Sequence, residues 1–255
     1  MQLKNQSLLV TGAARGVGES IALGAAAEGA LVTAVDVDAA GLNQLIQKAS
    51  SQGLAIQTVV ADVATLAGNA RAVDCAEKRH GRLNAFVANA AIIRFADTLA
   101  TSEEDWDAIH RVNLKGVHLG VQAVLPALRR VGGGSIILVA SVLGVVGDPL
   151  LPAYGATKGG LRAMCRSIAV AYGAENIRCN TICPGDIETE MMRAQIALEQ
   201  DPEAARKLML SHYPLRRFAS AQDVANAAIF LASERASYIT GTDLFVDGGL
   251  LAKCY

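Results

Sequence analysis

The sequence predicts one α/β domain over residues 1–255, a doubly wound parallel sheet of about seven strands flanked by helices. Three observations carry that expectation. A chain of 255 residues fits one large domain better than two small ones. Short apolar runs recur along it at 7–11, 30–35, 55–60, 83–88, 135–140, 177–182 and 242–246. Several, such as LLV and SIILVA, are continuously apolar, which suits parallel strands covered on both faces. The segments between them are long enough for crossover helices, and strand–helix alternation of that kind builds a parallel sheet.

Taken in order, the first strand ends in a glycine-rich turn, TGAARGVG at 11–18, and enters an apolar helix. The second strand runs into Asp36. Residues 39–52 then place Leu42, Leu45 and Ile46 on one helical face. Longer helices are expected over 103–128 and 154–172, the first closed by the three-glycine turn at 132–134. The rhythm breaks at 186–217, some thirty residues with no strand pattern. Met191, Met192, Ile196, Leu198, Leu208, Met209 and Tyr213 lie there among charges, as in a partly amphipathic helical insertion. Ligands of open α/β sheets sit at the carboxyl ends of the strands, so this excursion is placed to cover one.

Composition narrows the function. Hydrophobic residues make up 52% and aromatics only 4%, with 24 Gly, as when small aliphatic side chains pack helices onto a sheet. A net charge of −1 gives no basic footprint for nucleic acid. Charges or turn residues break every apolar run before bilayer length, so no membrane partner is expected. The N-terminal stretch lacks a signal peptide's charged start and cleavage site, which sets a cytoplasmic expectation. Cys75, Cys165, Cys179, Cys183 and Cys254 are odd in number without a zinc-type spacing and read as reduced thiols. His80, His110, His118 and His212 show no helical metal spacing, and no metal site is expected.

The glycine turn suggests a cofactor. Gly12, Gly16 and Gly18, with Arg15 and Val17, sit where glycines permit a tight turn and bring backbone N–H groups to a pyrophosphate at a helix N-terminus. The spacing is not G-x-G-x-x-G, and glycines in such a turn serve packing equally well. Asp36 tips the balance, because an acid ending the second strand accepts hydrogen bonds from adenosine ribose hydroxyls. Capping of the next helix is the competing role for an acid here, and Asp38 can fill it. Beside a 2′-phosphate a carboxylate is repelled by about 4 kcal/mol per charge pair at ~4 Å. Arg15 would pull the other way by pairing with that phosphate. NAD is the expected cofactor.

Tyr154 and Lys158 form Y-x-x-x-K at the start of a helix, on one face. Ser141 ends a strand upstream, and Asn113 lies inside the preceding helix. In isolation each is an unremarkable polar residue. Together with the glycine loop they resemble the short-chain dehydrogenase/reductase superfamily, of Rossmann type. The resemblance covers nearly the whole chain: TGAARGVG, the Asp62-Val63 pair, Asn89-Ala90-Ala91, Asn113, Ser141, Tyr154, Lys158, Pro184-Gly185 with Thr189, and the stretch from Thr240-Gly241 to Asp247-Gly248-Gly249. Ala91 departs from the glycine common there.

The resemblance implies that Tyr154 is the general acid/base, that Lys158 stabilises its phenolate and bonds the nicotinamide ribose, and that Ser141 anchors the substrate oxygen. Asn113 would hold a relay water. Asp62, Val63, Asn89 and Ala90 are expected in the cofactor pocket beside the glycine loop and Asp36. Pro184, Gly185, Ile187 and Thr189 are expected at its nicotinamide end, alongside Tyr154 and Lys158. A phenol with an ordinary pKa near ~10 would need that value lowered for work near neutrality.

The segment VLGVVGDPLLP at 142–152 and the methionines after Pro184 suggest an apolar substrate wall, although mutual packing or a subunit contact would use the same residues. Arg94, just after the Asn89 loop, is placed to meet an anionic substrate, but an arginine there more often is a solvated rim residue. The expected reaction interconverts a small, mainly apolar secondary alcohol, an alicyclic one included, and its ketone. Reduction of a 3-oxoacyl thioester and sugar 1-dehydrogenation are the alternatives on the same catalytic set. A silent NAD sensor and a Rossmann-like methyltransferase are the readings from other classes. The resemblance also implies a homo-oligomer, a tetramer through the two long helices.

Overall fold

The computed structural model describes residues 1–189, 192, 196–197 and 200–253. Seven strands form one parallel sheet: β1 (Ser7–Thr11), β2 (Leu31–Asp36), β3 (Ile56–Val60), β4 (Ala85–Ala88), β5 (Gly134–Val139), β6 (Ile177–Pro184) and β7 (Asp243–Val246). Their order is β3-β2-β1-β4-β5-β6-β7. Pairing registers Val10 with Val87 and Ala34, and Leu138 with Ala88 and Thr181. The direction of winding reverses between β1 and β4, so the crevice at their carboxyl ends is the site this topology offers to a ligand.

Helices cover both faces. On one side α1 (Gly16–Ala27), α2 (Ala39–Ser51) and α8 (Ala221–Ala232) set Ile21, Ala25, Leu42, Leu45, Val224 and Ala228 against Val10, Val32 and Ile137. On the other, α3 (Leu66–His80), α5 (Gly116–Arg130) and α6 (Pro152–Tyr172) set Val73, Val121, Leu161 and Ile168 against Leu9, Phe86 and Ile136. Each side is a continuous apolar layer, which explains why β1 and most of β5 are buried along their length. Side-chain caps start several helices: Asp38 accepts from Gly41 N, Thr65 from Gly68 N, and Ser220 with Asp223 completes a capping box.

Two expected elements differ. The helix over 103–128 is interrupted: α4 (Glu103–His110) passes through a π-turn (Arg111–Lys115) into α5, which runs on to Arg130. One extra residue is inserted into the helical ladder there, a departure that hydrophobic periodicity does not reveal. Helix α6 begins at Pro152, earlier than expected, with proline in the first turn where its missing N–H costs nothing. In the excursion after β6, α7 (Pro202–Ser211) follows Ile187, whose backbone bridges Ala219. Met191 and Leu198 lie outside the described residues. Ile196, Tyr213 and Phe218 pack together with Met192 and Met209, so part of the expected wall is a small core of its own.

Candidate active site

The glycine turn is shaped by close backbone approach. Gly12 and Gly16 have φ of +66° and +61°, where L side chains are strained. A Cβ on Gly18 would lie 2.0 Å from the Gly12 carbonyl oxygen, so any side chain there breaks the turn. The Asn89 amide donates to the carbonyls of Thr11 and Gly12 at 3.0 and 3.1 Å. The Thr11 hydroxyl in turn accepts from the N–H groups of Asn89 and Ala90. These bonds lash the ends of β1 and β4 together across the crevice. Thr11 went unread as a site residue because a threonine ending an apolar strand carries no signal of its own.

Arg15 starts α1 with no side chain capping the N-terminal amides. Val17 packs at the margin of the α1 layer. Asp36 stands beside this turn, one oxygen accepting from Ala14 N and the other from Asp38 N, both at 3.0 Å. The two bonds fix the carboxylate and leave lone pairs for hydroxyl donors. Arg15 points to Asp38 at 4.0 Å, with its side chain 85% exposed. A shallow hollow of about 340 Å³ continues past Val37 and is lined by Val60, Asp62, Gly68 and Arg71. Asp62 accepts from Ala64 N and faces Arg111, while the Val63 carbonyl accepts from Asn69. A turn with no room for a Cβ at Gly12 or Gly18, uncapped helix amides and a fixed carboxylate beside a shallow hollow suit an adenine dinucleotide.

Ser141, Tyr154 and Lys158 come together beyond β5. The buried Ser141 hydroxyl accepts from Leu143 N at 3.1 Å and lies close enough to the Tyr154 phenol to lower its pKa. Lys158, one helical turn after Tyr154, is 2% exposed. Its ammonium lies 5.2 Å from the Tyr154 ring centre and donates to the Val139 carbonyl at 2.7 Å. Burial pushes the Tyr154 phenol up to about 12, the nearby Ser141 hydroxyl offsetting only part of it. Burial also pushes Lys158 down to about 8, against a pull from Cys183. The phenol therefore moves opposite to the shift that catalysis needs. Removal from water dominates.

The lysine shift has a consequence for stability. With a folded value near 8 against an ordinary 10.5, the unfolded chain holds a proton that the folded chain has released between those limits. The charged lysine thus favours unfolding below about pH 8, and that penalty fades as pH rises towards ~10. Compared with Lys158→Met, the wild-type protein is expected to gain stability over that interval in urea unfolding. A difference that stays flat with pH would contradict the buried ammonium.

Asn113 is fully buried in the π-turn, and its side chain is committed to one residue. Its amide donates to the Ile92 carbonyl at 2.9 Å and its oxygen accepts from Ile92 N at 2.8 Å. The side chain therefore pins the loop after β4, with one amide N–H and one oxygen lone pair beyond these two bonds. Pro184 ends β6, and Gly185 N donates to Val246 O. The Thr189 hydroxyl accepts from Met192 N. Arg94 lies on the rim, donating to the Ile93 carbonyl and facing Asp105 at 3.8 Å. Val145, Val146 and Leu150, between Ser141 and Tyr154 in the chain, are exposed.

Residues 12–251 match the family described as Enoyl-(Acyl carrier protein) reductase. Over 251 residues the chain is 38% identical to the 3-oxoacyl-(acyl-carrier-protein) reductase FabG of Thermotoga maritima, covering 98% of this chain and 100% of that one. The chain belongs to the short-chain dehydrogenase/reductase superfamily. This dehydrogenase/reductase is 34% identical over 251 residues to 2-(S)-hydroxypropyl-CoM dehydrogenase 3 of Xanthobacter autotrophicus, covering 98% of each. The solved structure of levodione reductase superposes with a TM-score of 0.92 at 33% identity, over 99% of this chain and 100% of that one. The dehydrogenase/reductase is accordingly an NAD(P)-dependent oxidoreductase acting on a CH–OH/C=O pair. Among the described residues, no helix is long and apolar enough to cross a membrane.

Proposed function

We propose that the enzyme prefers NAD and interconverts a small, mainly apolar secondary alcohol and its ketone. The observation that carries this reading is the joint placement of Ser141, Tyr154 and Lys158 at the sheet's carboxyl edge, with Asp36 fixed beside the glycine turn. Bound NAD supplies the hydride acceptor for the carbinol carbon. Tyr154 takes the hydroxyl proton as the C=O bond forms, and the Ser141 hydroxyl donates to the oxygen on which charge develops. Lys158 stabilises the phenolate. Its ammonium, 5.2 Å from the Tyr154 ring centre, is the cation beside the phenol. An oxidised nicotinamide held at this edge would add a second positive charge that favours the phenolate. Asn113 orders the loop after β4 through Ile92 and would help to hold a relay water beyond Lys158.

The cofactor contacts assigned to Gly12, Gly16, Gly18, Arg15, Val17, Asp62, Val63, Asn89 and Ala90 belong to the same reading, as do Pro184, Gly185, Ile187 and Thr189 at the nicotinamide end. Segment 186–217 covers the substrate, and Val145, Val146 and Leu150 give the wall its apolar character. The family resemblance supports a cytoplasmic homotetramer, and exposed Trp106 on α4 and Val170 on α6 leave apolar surface for it.

Identity to FabG favours a second reading, reduction of a 3-oxoacyl thioester. Asp36 argues against it to the extent that such reduction draws on NADPH. A panel of secondary and alicyclic alcohols, aldoses and a 3-oxoacyl thioester, each assayed with both cofactors, separates the two. The highest kcat/KM is expected for an apolar alcohol with NAD, and preference for the thioester with NADPH would overturn the proposal.

A further inference from the structure

The turn that carries Ser141 is held against α6 by one arginine. After Ser141, residues Val142–Gly144 form a single 3-10 turn that lies along the α6 backbone. A Cβ on Gly144 would come within 2.8 Å of the Lys158 carbonyl carbon, and one on Gly155 within 3.1 Å of the Leu143 oxygen. The serine turn and the helix bearing Tyr154 and Lys158 are thus in direct backbone contact, with no side chain between them to set their spacing. Arg162, one helical turn past Lys158, closes this contact. Its guanidinium donates to the Gly144 carbonyl at 2.6 Å, and through Nε and Nη2 to Asp243 Oδ2 at 3.1 and 2.9 Å.

Asp243 is itself anchored. Its other oxygen accepts from the Thr181 hydroxyl at 2.6 Å, and Arg166 adds a bond at 2.7 Å. Burial alone would raise the Asp243 carboxyl, but Thr181, Arg162 and Arg166 hold it below its ordinary value. The Arg162 and Asp243 side chains are 20% and 11% exposed. A mostly buried ion pair of this kind keeps its geometry because its breakage strands a charge. The chain of bonds runs from β6 and β7 through Asp243 and Arg162 to the carbonyl three residues after Ser141.

We propose that Arg162 is a positioning residue that sets the Ser141 hydroxyl against the Tyr154 phenol. This rests on the roles given above to Ser141 and Tyr154. Arg162 touches neither substrate nor cofactor in that account, and acts by holding Gly144. A small misplacement of a group that meets the reacting oxygen lowers kcat steeply, while binding of the distant adenosine half is untouched.

The test is a double-mutant cycle on the full-length enzyme, with kcat, NADH affinity by fluorescence and thermal unfolding measured for each variant. Arg162→Ala is expected to lower kcat about 10- to 100-fold with NADH affinity within about twofold. In a Ser141→Ala background the same change is expected to cost less than about threefold, because the group it positions is gone. Arg162→Lys is expected to recover part of the loss. Asp243→Asn keeps the shape and the Thr181 contact, and serves if Arg162→Ala does not fold; a smaller loss with the same dependence on Ser141 is expected. A loss in kcat that persists in full without Ser141, or one that appears only as weaker NADH binding, overturns the proposal. If Ser141→Ala is impaired and Arg162→Ala is not, this inference alone falls. If Ser141→Ala turns over like wild type, the underlying assignment of Ser141 falls with it.

Discussion

Tyr154→Phe is expected to lower kcat by about two to four orders of magnitude while leaving NADH affinity nearly unchanged. The substitution removes one oxygen. The ring stays packed over the Lys158 ammonium, so the fold and the cofactor's seat are preserved. What is lost is the group that accepts the substrate's proton, and with it the polar neighbour of the Ser141 hydroxyl. The split between kcat and binding is the informative part. A phenol that merely filled space would leave kcat alone, and one that chiefly held cofactor would weaken binding. Steady-state turnover beside NADH fluorescence titration of the same preparation checks it.

The second large effect concerns Asp36. Asp36→Ala is expected to lower kcat/KM with NAD about 100-fold, since hydrogen bonds to a charged acceptor contribute about 1.5–3 kcal/mol each. The same change removes repulsion of a 2′-phosphate and leaves the exposed Arg15 free to approach it, because Arg15 loses little by leaving Asp38. The preference for NAD over NADP is therefore expected to collapse, measured as the ratio of kcat/KM values at fixed ionic strength. A ratio that does not move would show that Asp36 serves only its two backbone partners, Ala14 and Asp38.

Much of this architecture was legible along the chain, for physical reasons. Parallel strands buried on both faces read as unbroken apolar runs, so β1 and the body of β5 were plain. Asp36 could be placed because it follows the last apolar residue of β2, and Tyr154 and Lys158 because helical spacing puts them on one face. The π-turn at Asn113 was invisible, since one extra residue in a long amphipathic stretch leaves its apolar positions looking helical. The contact made by the Asn113 side chain was hidden for a related reason. Its partner, Ile92, lies in a loop whose path sequence periodicity does not describe. Arg162 and Asp243 are far apart in the chain and each looks like a surface charge; only the folded contact between α6 and the start of β7 joins them. The direction of the Tyr154 pKa was likewise a matter of burial, which spacing alone does not report.

The central claim is that Tyr154 moves a proton while NAD accepts a hydride from a secondary alcohol. Its most direct test follows nicotinamide absorbance with purified enzyme, NAD⁺ and a series of small secondary and alicyclic alcohols, with Tyr154→Phe alongside. The expected result is NADH formed in step with ketone, abolished in the variant although NADH still binds it. Undiminished turnover in Tyr154→Phe, or a wild-type protein that fails to bind NAD(H) at all, would contradict the account.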